Sequence, residues 1–148
     1  MKQIQSLKLW QLALLLIGLE GLSLFFGLAI FGVQNEPCEV CPYIEKYGIP
    51  FFLLLMLPLV ALEEFAFRFL PNWILSRWNV TEFSVPVNVI ASIVFGYIHG
   101  GIELILVQGI GGLSLAIIYL YALKSGHKRA FLICTFYHFL FNTVIITT

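Results

Sequence analysis

The chain has 148 residues, 60% of them hydrophobic and 11% charged, with a mean hydropathy of +0.96, far above the apolar share of a soluble domain. A formal net charge of zero leaves no basic or acidic excess to recruit nucleic acid or an anionic surface. What remains is an integral, multi-pass membrane protein of the all-α class, a polytopic transmembrane helix bundle with the lipid bilayer as its first partner.

Five apolar runs are read in chain order, approximately 9–33, 49–70, 84–99, 102–123 and 130–147, each near the roughly 20 residues that a helix needs to cross the hydrocarbon core. The first is too long, and too poor in a small-residue cleavage site, for a signal peptide. The loop after it, "QNEPCEVCPYIEKYG", carries Cys38 and Cys41 as C-x-x-C. Zinc usually needs four ligands and no second such pair exists, so a loop disulfide on an oxidising outer face is the expectation. Pro71 is expected to stop the second helix, leaving "NWILSRW" as a short interfacial one. The fourth run gathers Gly109, Gly111, Gly112, Ser114 and Ala116, small residues that let helix backbones approach closely in lipid. His127, in "KSGHKR", reads as solvated, and Cys134, in the fifth run, as packing.

With the amino terminus cytoplasmic, Lys2, Lys8, Arg68, Arg77, Lys124, Lys128 and Arg129 fall on the inner side and Lys46 alone outside. That bias orients the bundle in a cell membrane. Counting along the spans then puts Glu63 toward the inner side and His99 toward the outer, so tilt or a deeper third helix must bring them level.

Three constellations break the apolar background. In "ALEEFAFRFLP", Glu63, Glu64 and Arg68 each cost about 2.5–3.5 kcal/mol at mid-membrane on insertion scales. On an α-helix Glu64 and Arg68, four apart, share a face and are expected to pair. Glu63 is left for another task. In "FGYIHGG", Phe95 and His99 are four apart and two glycines follow, inviting the helix to break where it lines a wet cavity. In "YHFLFN", His138 and Asn142 are again four apart on one face. Either histidine alone is more simply structural; together with the glutamates in one small bundle they point to chemistry.

Glu-Glu-x-x-x-Arg ("EEFAFR", 63–68), Phe-x-x-x-His ("FGYIH", 95–99) and His-x-x-x-Asn ("HFLFN", 138–142), in that order on successive helices, resemble the CPBP or Abi family of intramembrane proteases, which includes the type II CAAX prenyl endopeptidases. The resemblance covers roughly residues 50–147. It divides the chain into an amino-terminal helix and outer loop, 1–48, and a four-helix protease core, 49–148. Phe69 stands where family members often have a glycine after the motif arginine.

The resemblance implies an intramembrane endopeptidase acting on a membrane-associated protein or peptide, a CAAX-like tail or a bacterial propeptide. It makes Glu63 the base that activates a water, helped by His99, and gives His138 and Asn142 the water or the oxyanion. Glu64 and Arg68 support the site. Peptide hydrolysis asks for such groups: a base, an oriented water and donors aimed at the developing oxyanion. No cofactor is required by this route. An alternative uses Glu63, His99 and His138 as zinc ligands, and a second alternative is a non-catalytic bacteriocin-immunity or scaffold protein. H-E-x-x-H and G-x-S-x-G are absent, and the chain has no aspartate, which excludes the zincin, serine-elbow and aspartyl routes.

Overall fold

The structure, a computed structural model, describes residues 2–31 and 41–147. Among them every regular element is helical. In order they are α1 (Lys2–Gln5), α2 (Leu9–Phe31), α3 (Cys41–Tyr47), α4 (Ile49–Glu64), a π-helical segment (Phe65–Phe69), α5 (Leu70–Arg77), α6 (Ser84–Ile98), α7 (Gln108–Ala122) and α8 (His127–Thr147), with short 3-10 turns at Thr81–Phe83, Ile102–Ile105 and Leu123–Ser125. Helices suit lipid because each satisfies its backbone hydrogen bonds within its own segment, the alternative there being a closed barrel.

Among the described residues four stretches are long and apolar enough to cross a membrane: Leu9–Ala29, Ile49–Arg77, Thr81–Ile98 and Ile102–Ser125. The fifth expected run is α8, a 21-residue helix that carries His138 and Asn142 and packs on α4 and α7. Cys38 lies outside the described residues, and of Cys41 only the backbone at the start of α3 is described, so the expected disulfide lies outside them too.

Pro71 does not stop the second helix. The rod runs on from Ile49 to Arg77, and the reason is local. Proline has no N–H to give to the carbonyl of Phe67, four residues back. The chain widens into the π segment, where the Leu70 N–H reaches the carbonyl of Phe65, and the freed Phe67 carbonyl accepts Nη1 of Arg68 at 3.2 Å. A side chain thus replaces the missing backbone donor, the usual way proline survives in a membrane helix.

This correction removes the difficulty over depth. With the helix carried through to Arg77, Glu63 is at the midpoint of the rod rather than near its inner end. Arg68 is fully buried, so it is not one of the interfacial cations that report orientation. The remaining bias is Lys2, Lys8, Arg77, Lys124, Lys128 and Arg129 against Lys46.

The α6–α7 hairpin is the most extensive helix contact, and its sequence explains it. Ser84, Asn88, Ser92 and Gly96 recur every four residues along α6, and all four are buried. At the crossing, a Cβ added to Gly96 would stand 2.7 Å from the backbone nitrogen of Gly109, so the two helices touch backbone to backbone. Beneath them Asn88 Nδ2 donates to Oδ1 of Asn72 at 3.1 Å and Asn72 Nδ2 to the carbonyl of Arg68 at 2.8 Å. This polar ladder locks α5 to α6. A compact apolar cluster of Leu115, Ile118, Tyr119, Ala122, Ala130 and Cys134 joins α7 to α8, while α2 leans on α7 with Ser23 Oγ donating to the Val107 carbonyl at 2.9 Å.

His127 is only partly exposed and has two partners. Its Nε2 meets Oγ of Ser76 at 2.9 Å and its Nδ1 meets the hydroxyl of Tyr119 at 3.1 Å. The hydroxyls of α5 and α7 hold it at the start of α8.

Candidate active site

Adjacent residues on a helix point about 100° apart, and the two glutamates accordingly enter different surroundings. Glu64 is 1% exposed. Its Oε1 accepts Nδ1–H of His138 at 2.9 Å, and its Oε2 accepts the Cys134 thiol at 2.9 Å. Glu63 keeps a third of its side chain open. Its Oε1 is 3.8 Å from Nε2 of His99 and its Oε2 is 3.8 Å from Nε2 of His138.

The tautomers follow from the acceptors. Nδ1 of His99 faces the carbonyl of Phe95 at 2.7 Å, and a carbonyl can only accept, so Nδ1 carries the proton. Nδ1 of His138 faces a carboxylate, with the same result. Both imidazoles therefore present Nε2 to one carboxylate. A separation of 3.8 Å is too long for a direct hydrogen bond and suits a bridging water.

The spacing Phe-x-x-x-His has a physical reason here. Four residues on, His99 stands at the C-terminal cap of α6, where the Phe95 carbonyl has lost its helical donor and takes the imidazole instead. The Phe95 ring lies 4.2 Å from the His99 ring and 6.0 Å from that of His138, centroid to centroid, and the Arg68 guanidinium sits 5.8 Å from its centre. Gly101, at φ +85°, then turns the chain away, its N–H returning to the Tyr97 carbonyl at 2.7 Å.

The pairing of Glu64 with Arg68 expected from their spacing is not formed. Each already has other partners: Glu64 takes two donors from α8, and Arg68 gives Nη2 to the Gly112 carbonyl at 2.6 Å and Nη1 to that of Phe67. Gly112 makes this possible, since its missing Cβ would stand 3.1 Å from Nη2. Cys134 is packed as expected, and it is also a donor to Glu64.

Asn142, one turn beyond His138, borders a cavity of about 20 Å³ shared with Glu20, Gln108, Tyr137 and His138. The structure thus groups Glu63, Glu64, His99 and His138 directly, sets Asn142 beside His138, and places Arg68 one layer beneath. Among the described residues no three of His, Cys, Asp and Glu are grouped to hold a metal ion. The two imidazoles address different oxygens of Glu63, each at 3.8 Å.

Glu20 and Gln108 were not legible as site residues from the motifs. A signal existed for Glu20: it is the one charged residue between Lys8 and Glu36, and the insertion cost that singles out Glu63 applies to it equally. Gln108 opens α7 with no such mark.

The family described as Type II CAAX prenyl endopeptidase Rce1-like matches residues 45–144, a stretch that holds all three motifs and leaves α2 outside. No curated protein and no solved structure matches the chain. The family match spans well over half of the sequence and contains the whole Glu63, His99 and His138 arrangement; the chain belongs to the Rce1-like family of type II CAAX prenyl endopeptidases.

Proposed function

We propose that the chain hydrolyses a peptide bond of a membrane-associated substrate, a CAAX-like tail or a bacterial propeptide, with Glu63 as the base. The observation that carries this reading is the convergence of two imidazole Nε2 atoms, both with their Nδ1 protons committed elsewhere, on the single half-open carboxylate of Glu63 at 3.8 Å. A water between these groups gives its proton to Glu63 while its oxygen attacks the scissile carbonyl. His99 holds that water from the α6 end. His138, fixed by Glu64, shares that task through its own Nε2 lone pair, and the Asn142 carboxamide faces the developing oxyanion. Glu63 then returns the proton to the leaving amine as the carbon–nitrogen bond breaks.

Amino-terminal helix and core would lie in the cell membrane with the amino terminus cytoplasmic, as the charges at the helix ends suggest. The test is cleavage of a farnesylated CAAX peptide and of a propeptide by the purified protein, beside Glu63→Gln and with a chelator. Loss of about 100-fold or more in Glu63→Gln with unchanged melting is the expected result, on the scale of general base catalysis. Full activity in that variant would overturn the reading, and chelator-sensitive activity would favour a metal route.

A further inference from the structure

Helix α2 lies outside the matched stretch, yet it brings a carboxylate to the site. Glu20 is at the midpoint of α2, as Glu63 is of the Ile49–Arg77 rod. Its Oε2 is buried, as is Oγ of Ser114, a fully buried residue of α7; the two side chains interact, but neither atom makes a hydrogen bond of good geometry within 3.5 Å. The cavity of about 20 Å³ that Glu20 shares with Gln108, His138 and Asn142 is large enough for one water, which needs at least about 10–15 Å³ and two to four polar partners. Both conditions are met.

We propose that Glu20 is a positioning residue of the catalytic centre, anchoring with Gln108 a water that orients the Asn142 carboxamide beside His138. This rests on the proposed hydrolysis. An ionised carboxylate only accepts, so a water on Glu20 must turn a proton toward it and offer its lone pairs to the neighbouring amides. Asn142 then points its NH2 group at the water with one N–H and keeps the other for the oxyanion. Without a strict acceptor at position 20, nothing decides which way the carboxamide faces.

Glu20→Gln keeps the volume and abolishes the strict acceptor. The expected result is a kcat about tenfold lower with KM unchanged, the scale of one water-mediated hydrogen bond, together with displaced NMR resonances of the Asn142 side-chain amide and the His138 ring while those of His127 stay in place. Should Glu20→Gln not purify, Gln108→Ala removes the other anchor and should act in the same direction. Unmoved resonances overturn the proposal, as do moved resonances with unaltered kcat, and a raised KM with unaltered kcat makes Glu20 a wall of the substrate site instead. Glu63→Gln run in parallel separates the two readings: if it keeps full activity the hydrolytic mechanism fails, and the resonances alone then decide whether Glu20 orients Asn142.

Discussion

Replacing Glu64 by Gln asks whether this carboxylate works through His138. Glu64 is buried, and its two oxygens accept from Nδ1 of His138 and Sγ of Cys134, each at 2.9 Å. The amide keeps the volume and one acceptor oxygen, but sets an NH2 against either the thiol or the imidazole. Facing Nδ1, that NH2 forces the ring proton onto Nε2, the atom that addresses Glu63. A hydrogen bond to a charged group contributes about 1.5–3 kcal/mol. At about 1.36 kcal/mol per tenfold, losing it from the reacting arrangement lowers kcat by about 10- to 160-fold. KM should hardly move, because Glu64 is sealed from the substrate. The assay is a quenched-fluorescence prenylated peptide in detergent, with kcat and KM separated and melting recorded alongside, since the buried Arg68 guanidinium also feels the Glu64 charge. The decisive arm is the cycle with His138→Ala. A carboxylate that acts through the imidazole costs nothing further once the ring is gone. Additive losses, or a Glu64→Gln protein whose kcat stays within about twofold of the parent while its melting falls, would refute the reasoning and leave Glu64 as a structural residue.

The remaining expectations concern packing, protonation and orientation. Gly96→Ala places a methyl group 2.7 Å from the Gly109 nitrogen and should cost about 1–3 kcal/mol of stability as α6 and α7 separate, whereas Gly111→Ala, with nothing within 4 Å of its Cβ, should melt like the parent; equal melting of the two would show that the crossing is looser than described. Burial lowers the proton affinity of His127, so the unfolded chain binds the proton first as pH drops below about 6.5. The stability present above that value is lost as pH falls through the lower folded-state pKa. Melting should therefore decline on mild acidification and lose part of that dependence in His127→Gln; an identical pH profile in the variant would count against it. Impermeant thiol labelling of intact cells after reduction should reach Cys38 or Cys41, and protection of both would reverse the orientation that the charges favour.

Local chemistry made much of this protein legible along the chain. Hydropathy alone determines a membrane bundle, because a backbone in lipid has no alternative to helix that spacing like this would permit. The four-residue intervals of Phe95 to His99 and His138 to Asn142 state which groups share a face, and Gly100 and Gly101 state where α6 must end. Tertiary structure decided everything that depended on partners from other helices. Pro71 is traversed because Arg68 supplies the donor that proline lacks, and that continuation is what sets Glu63 at mid-rod beside His99. The Glu64 carboxylate could have paired with Arg68 by spacing; it binds His138 and Cys134 because α8 packs against it, while Arg68 finds the Gly112 carbonyl through a gap that only glycine leaves. Glu20 belongs to a helix that no motif joins to the others, and the packing of α2 on α7 brings it to the cavity beside His138. A helical repeat reports which side chains line up on one rod, but the partner of a buried charge is chosen by whichever donor or acceptor the neighbouring rods bring within about 3 Å.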